Sequence, residues 1–232
     1  LENKVVIITG AGRGIGKAIA LKFAEEQSRL ILAARTKSEI EKVADEARRG
    51  GAEALAMPTD VAREDQVDRL IKTAHNTFGR IDVLVNNAGF GIFSKVAEMK
   101  THDFQSMFDV NVRGVFFCTR AVLPHMMQQN DGVIVNIASL AGRNAFIGGA
   151  GYCATKWALI GFARSLMLEV REHNIRVITI CPGSVDTSFG RDEGRKKTIL
   201  QAHDVAETVL AAVRMPARAM VSEIDIRPTN PR

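Results

Sequence analysis

An open, doubly wound α/β sheet is predicted for this chain on three observations. Short β-branched runs alternate with helix-length amphipathic stretches along the whole sequence. Several of the short runs are almost unbroken Val, Ile and Leu, as parallel strands covered on both faces require. No linker, repeat or low-complexity tract interrupts the alternation, so the 232 residues read as a single domain, 1–232. Strands are predicted at 4–9, 29–33, 53–57, 82–86, 132–137, 176–181 and 220–226, and helices near 15–26, 37–49, 63–78, 101–129, 151–173 and 202–214. The expected architecture is a seven-stranded parallel sheet with helices on both faces. Ligands bind such sheets beyond the carboxyl ends of the strands, so the residues that follow each strand carry the functional information.

Composition narrows the field. With 46% hydrophobic and 25% charged residues the chain is neither disordered nor fibrous. The excess of 31 Lys and Arg over 26 Asp and Glu, a net charge of +5, would suit an anionic partner if it were gathered on one face. It is instead interleaved with acids, as in Glu39, Glu41, Lys42, Asp45, Glu46, Arg48 and Arg49, which reads as a solvated helix face. Neither nucleic acid nor membrane is expected as a partner: there is no aromatic platform for bases and no apolar run of the ~20 residues that a span needs. The opening Leu1-Glu2-Asn3-Lys4 leads straight into a strand, and no signal peptide is expected. Cys118, Cys153 and Cys181 lie far apart among apolar neighbours, the pattern of reduced, buried thiols, so a cytoplasmic location is expected. The five histidines show no i, i+3 or i+4 spacing, so no local metal site is expected.

Strand one ends in Thr9-Gly10-Ala11-Gly12-Arg13-Gly14-Ile15-Gly16, just before a helix. Glycines let the backbone turn sharply and approach a ligand, while the helix N-terminus offers free N–H groups to a pyrophosphate. The spacing is TGxxxGIG; it fits neither strict GxGxxG nor a Walker loop, which would need Gly at Ala11 and Ser or Thr at Ala18. Dinucleotide folds that prefer NAD carry an acid at the end of strand two. Here that strand ends Ala33-Ala34-Arg35-Thr36, with no acid at its end. Arg35 and Arg13 can instead grip a 2′-phosphate by charge-assisted bonds, so the coenzyme is read as NADP(H).

Ser139 follows strand five, and thirteen residues on come Tyr152 and Lys156, one helical turn apart on one face. Tyr152 is the only tyrosine. A free phenol has a pKa near ~10, and a nearby ammonium is expected to lower it into a useful range. The Ser139 hydroxyl would hold a carbonyl oxygen beside the phenol.

The residues 9–16, Asn86-Asn87-Ala88-Gly89, Asn111, Ser139, Tyr152-Cys153-Ala154-Thr155-Lys156 and Pro182-Gly183 together resemble the short-chain dehydrogenases/reductases, in order and spacing along essentially the whole chain. The resemblance implies a Rossmann-type fold and hydride transfer between NADP(H) and a ketone or secondary alcohol. It implies Tyr152 as general acid/base, Lys156 as the cation that tunes it and binds the nicotinamide ribose, and Ser139 as the group orienting the carbonyl. By the same token Asn111 would hold a water linking Lys156 to solvent. Asp60 and Val61 would meet the adenine, and Asn87, Ala88 and Gly89 would line the cofactor groove. Pro182, Gly183, Val185 and Thr187 would pass the nicotinamide carboxamide. A homodimer or homotetramer paired through the helices near 101–129 and 151–173 is implied too.

The ending Val221-Ser222-Glu223-Ile224-Asp225-Ile226-Arg227-Pro228 is more similar to sepiapterin-reductase-like and 3-hydroxy-acid-dehydrogenase-like members than to the common glycine-rich terminus. A reductase of acyl-carrier substrates is a second reading, although Asn130 and His173 stand where such enzymes place cations. A non-catalytic NADP(H)-binding sensor is a third, opposed by the intact Ser, Tyr, Lys and Asn set. For the substrate, Phe93, Phe146 and Phe189 are expected to form an apolar pocket, Arg143 to meet a carboxylate, and 191–197 to form a solvated lid.

Overall fold

The computed structural model describes residues 1–187 and 199–230. Its strands are β1 (Val5–Thr9), β2 (Arg29–Ala34), β3 (Ala54–Pro58), β4 (Val83–Asn86), β5 (Gly132–Ile137), β6 (Ile175–Pro182), the two-residue β7 (Val185–Asp186) and β8 (Leu200–Gln201), and β9 (Glu223–Ile226). Seven of them form one sheet in the order β3-β2-β1-β4-β5-β6-β9, every pair parallel. The chain winds outward from β1 in one direction and from β4 in the other, so the topological switch point lies between their carboxyl ends.

The helices are α1 (Gly14–Glu25), α2 (Lys37–Arg49), α3 (Glu64–Phe78), α4 (Thr101–Phe108), α5 (Gly114–Gln129), α6 (Ala150–Val170) and α7 (Ala202–Val213). One core, built on Val6, Ile8, Leu30 and Leu32, packs beneath α1, α2 and α7. The other, built on Val5, Ile7, Ile31 and Leu84, packs beneath α3, α5 and α6. Every residue of β1 is buried, which is why that strand reads as a continuous apolar run rather than an alternation.

Two expectations are corrected and one pair of strands is added. The helix expected over 101–129 is α4 and α5 joined by a π-helical turn, Asp109–Arg113. The last strand is shorter than 220–226 and begins at Glu223. The β7–β8 pair, which no periodicity announces, closes the segment beyond β6 back onto the start of α7. Among the described residues no helix is long and apolar enough to cross a membrane, and all three cysteines are free and buried.

Candidate active site

The turn after β1 is bolted to the turn after β4. The Thr9 hydroxyl donates to the Val85 carbonyl (3.2 Å) and accepts from the N–H groups of Asn87 and Ala88 (3.0 Å each). The Asn87 side-chain amide donates back to the carbonyls of Thr9 and Gly10. Gly10 takes a left-handed φ of 65° that side chains rarely adopt. At Gly16 a Cβ would stand 2.2 Å from the Gly10 carbonyl oxygen, so only glycine lets the turn close on the helix. Because α1 starts at Gly14, the first N–H groups of the helix have no partner within it. Gly14 and Ile15 present that end to a cavity of about 1320 Å³. This exceeds the ~300–1,000 Å³ of a pocket for one drug-sized ligand and leaves room for a dinucleotide with a substrate.

At the other end of the cavity stands the hydroxyl cluster. Ser139 leaves β5 and starts a 3₁₀ turn, Leu140–Gly142, with its Oγ accepting from Ala141 N (3.1 Å). Tyr152 and Lys156, on α6, are buried to 7% and 6% exposure respectively. The Ser139 hydroxyl faces the same cavity as the Tyr152 phenol, near enough to draw its pKa down. The Lys156 ammonium donates to the Ile137 carbonyl (2.9 Å), which fixes it behind the phenol, 5.7 Å from the ring centre. Asn111 sits in the π turn, 1% exposed. Its Oδ1 accepts from Phe90 N, and its Nδ2 donates to the Phe90 carbonyl and the Thr155 hydroxyl.

The family model described as short chain dehydrogenase matches residues 4–198. An uncharacterized oxidoreductase of Staphylococcus aureus (strain MRSA252) is 37% identical over 231 residues, covering 98% of each chain. This chain belongs to the short-chain dehydrogenases. An alcohol dehydrogenase from the archaeon Thermococcus sibiricus, complexed with 5-hydroxy-NADP, superimposes with a TM-score of 0.94 at 33% identity and covers 100% of this chain and 99% of that one. A metagenomic short-chain oxidoreductase in complex with NADP gives 0.89 at 34% identity, with 99% of each chain covered.

In this short-chain dehydrogenase, Gly10, Gly12, Arg13, Gly14, Ile15, Arg35, Asp60, Val61, Asn87, Ala88, Gly89, Ser139, Tyr152, Lys156, Pro182, Gly183, Val185 and Thr187 all line the one cavity. Gly16 and Asn111 are not part of its wall; the first closes the glycine turn and the second holds the loop after Gly89. Asp60 is also engaged locally: its carboxylate accepts from Ala62 N (3.0 Å), while α3 starts four residues later. Asn86 steadies the sheet, donating to Asn136 Oδ1 and to the Thr119 hydroxyl.

The electrostatics correct one expectation. Burial pushes the Tyr152 phenol up to about 12, against the opposing pull of the Ser139 hydroxyl. Burial likewise draws Lys156 down to about 8. Burial is the largest influence on both groups, and the ammonium is turned to the Ile137 carbonyl rather than to the phenol. The phenol is therefore protonated at neutral pH.

Arg143 is a second correction. Its guanidinium is bonded to Glu223 and Asp225 on β9, so it is not offered to a substrate carboxylate. Phe93 and Phe146 do line the cavity, with ring centres 5.7 Å apart, and Phe93 meets Tyr152 edge-on at 5.6 Å. Phe189 and the expected lid at 191–197 lie outside the described residues. Among wall residues that sequence reading missed, Glu39 and Arg227 are the charged ones. Thr36-x-x-Glu39 reads as a helix capping box, a signal that hides a cavity-facing carboxylate.

Proposed function

We propose that the chain is an NADP(H)-dependent carbonyl reductase/alcohol dehydrogenase acting on a neutral carbonyl with an apolar substituent. The observation that carries the reading is that Ser139, Tyr152 and Lys156 line one cavity wall, with the Lys156 ammonium anchored on the Ile137 carbonyl behind the phenol. The site suits the coenzyme. The orphan N–H groups at the start of α1 match a pyrophosphate, and Arg13 and Arg35, both exposed on the cavity wall and without an ion pair among the described residues, match a 2′-phosphate. The two structural neighbours, complexed with NADP or its 5-hydroxy derivative, support the same choice.

The coenzyme, when bound, supplies or takes the hydride. The chain does the rest. Ser139 positions the carbonyl oxygen, its own Oγ anchored by Ala141 N. Tyr152, protonated at neutral pH, donates its proton to that oxygen as negative charge develops. The Lys156 cation offsets the phenolate left behind. Asn111, by fixing Phe90 and Thr155, would hold the water through which the proton is replaced. The Phe93–Phe146 pair provides an apolar wall next to the phenol, and Arg143 is committed to Glu223 and Asp225 on β9.

NADPH oxidation against a panel of aryl, alkyl and carboxylated ketones tests the reading. Neutral ketones should be reduced, and Tyr152→Phe should retain NADPH binding while losing ~10²–10⁴-fold in turnover. A loss below about fivefold would remove Tyr152 from the mechanism, and tight NADPH binding with no turnover on any ketone would favour a sensor.

A further inference from the structure

The end of β2 carries no acid, yet the fold brings one to the same cavity from α2. Glu39 lies in the first turn of that helix, three residues after its N-cap, Thr36. In a capping box its carboxylate would accept from the Thr36 N–H; no such bond forms. The side chain instead turns across to the glycine turn, where a Cβ on Gly12 would stand 2.8 Å from Glu39 Cβ and 2.9 Å from its Oε2. Gly12, Arg13, Arg35, Thr36 and Glu39 all line the cavity, with Gly12 against Glu39. Among the described residues the carboxylate has neither hydrogen bond nor ion pair, although two unpaired guanidiniums line the same cavity. Three charges, two positive and one negative, are thus left facing a ligand.

We infer that Glu39 is a coenzyme-specificity residue: its carboxylate accepts hydrogen bonds from the adenosine ribose hydroxyls and repels a 2′-phosphate, so that NAD(H) is kept as a usable second coenzyme. The inference rests on the NADP(H) reading and sharpens it. A ribose hydroxyl donates, and a carboxylate is an acceptor only. A 2′-phosphate carries ~1.5–2 negative charges and donates nothing while ionised, so the same carboxylate opposes it. Arg13 and Arg35 then supply affinity for the phosphate, and Glu39 limits how far they exclude the coenzyme that lacks it.

The test is calorimetric titration of the purified chain with NADP⁺, NAD⁺ and 2′,5′-ADP, in the parent, Glu39→Gln and Glu39→Ala. Both substitutions should tighten NADP⁺ and 2′,5′-ADP by about three- to tenfold. Glu39→Ala, which removes the acceptor entirely, should weaken NAD⁺ by about two- to fivefold. A Kd ratio of NAD⁺ to NADP⁺ that stays within twofold of the parent in both variants overturns the inference. So does a parallel change of all three ligands, which would mark a disturbed glycine turn. The underlying NADP(H) reading fails by a different result: the parent binds NAD⁺ at least as tightly as NADP⁺, and Arg35→Leu leaves the NADP⁺ Kd unchanged.

Discussion

At the scale of single residues, Lys156 is the group whose burial and chemistry pull in opposite directions. Its ammonium is 6% exposed and its pKa is drawn from 10.5 down to about 8. A lysine titrating lower in the folded than in the unfolded chain costs stability wherever the unfolded side chain is charged. That cost is complete below about pH 8, shrinks as pH rises from 8 to 10.5, and is gone above it. Replacing Lys156 by Met removes the pH-dependent part and leaves a pH-independent loss, the unpaired Ile137 carbonyl. The stability of the parent relative to Lys156→Met should therefore rise by a few kcal/mol between pH 7.5 and pH 10. Urea unfolding of both proteins at the two pH values measures this, and a flat difference refutes it. Sequence reading named the Ser139, Tyr152 and Lys156 set because helical periodicity and strand ends are local. It misjudged the phenol because a pKa depends on burial and on where the ammonium points, neither of which spacing encodes.

At the scale of elements, β9 is held by more than its ladder. It is a four-residue edge strand paired only to β6. Glu223 on it accepts from Arg143, in the segment that follows Ser139, and from Arg164 on α6. The Arg164 hydrogen bond, opposed by burial and reinforced by Arg143, holds the Glu223 carboxyl down at about 2. A depressed carboxylate stabilises fully above its unfolded pKa of 4.5 and loses that contribution as pH falls toward 2. Glu223→Gln should cost on the order of 1–3 kcal/mol at pH 7 and almost nothing at pH 2, as read by urea midpoints. By loosening the loop that carries Ser139 it should also raise KM for the carbonyl more than it lowers kcat. The strands were legible because both faces of the sheet are covered and the apolar runs are continuous. The Arg143–Glu223 contact was not, since its partners lie 80 residues apart and nothing in the chain between them marks the pairing. The β7–β8 pair, at two residues a strand, is too short to show any period.

At the scale of the whole molecule, α5 and α6 turn large apolar side chains outward. Phe116 on α5 and Trp157 and Leu168 on α6 are exposed to 40%, 55% and 61%. The last two are eleven residues apart on one helix, three turns along one stripe. Exposed apolar stripes of this kind mark contact surfaces, and we expect these two helices to pair with those of a second copy. Light scattering at micromolar concentration should give a mass near two or four times the 25.3 kDa chain, and Trp157→Glu with Leu168→Glu should lower it. A parent at the mass of one chain would contradict the expectation. The π turn between α4 and α5 imposes a further condition on this assembly. A π turn holds one residue more than an α-helical turn, so a deletion anywhere in Asp109–Arg113 would heal the helix into a regular rod. At ~100° per residue, either Asn111 would swing away from Phe90 or the exposed Phe116 of α5 would rotate to another face. Insertions and deletions should thus disturb this stretch more than substitutions do: it behaves as a counted length, like a reading frame, in which the Asn111 contacts and the outward face of α5 stay in phase only at one number of residues.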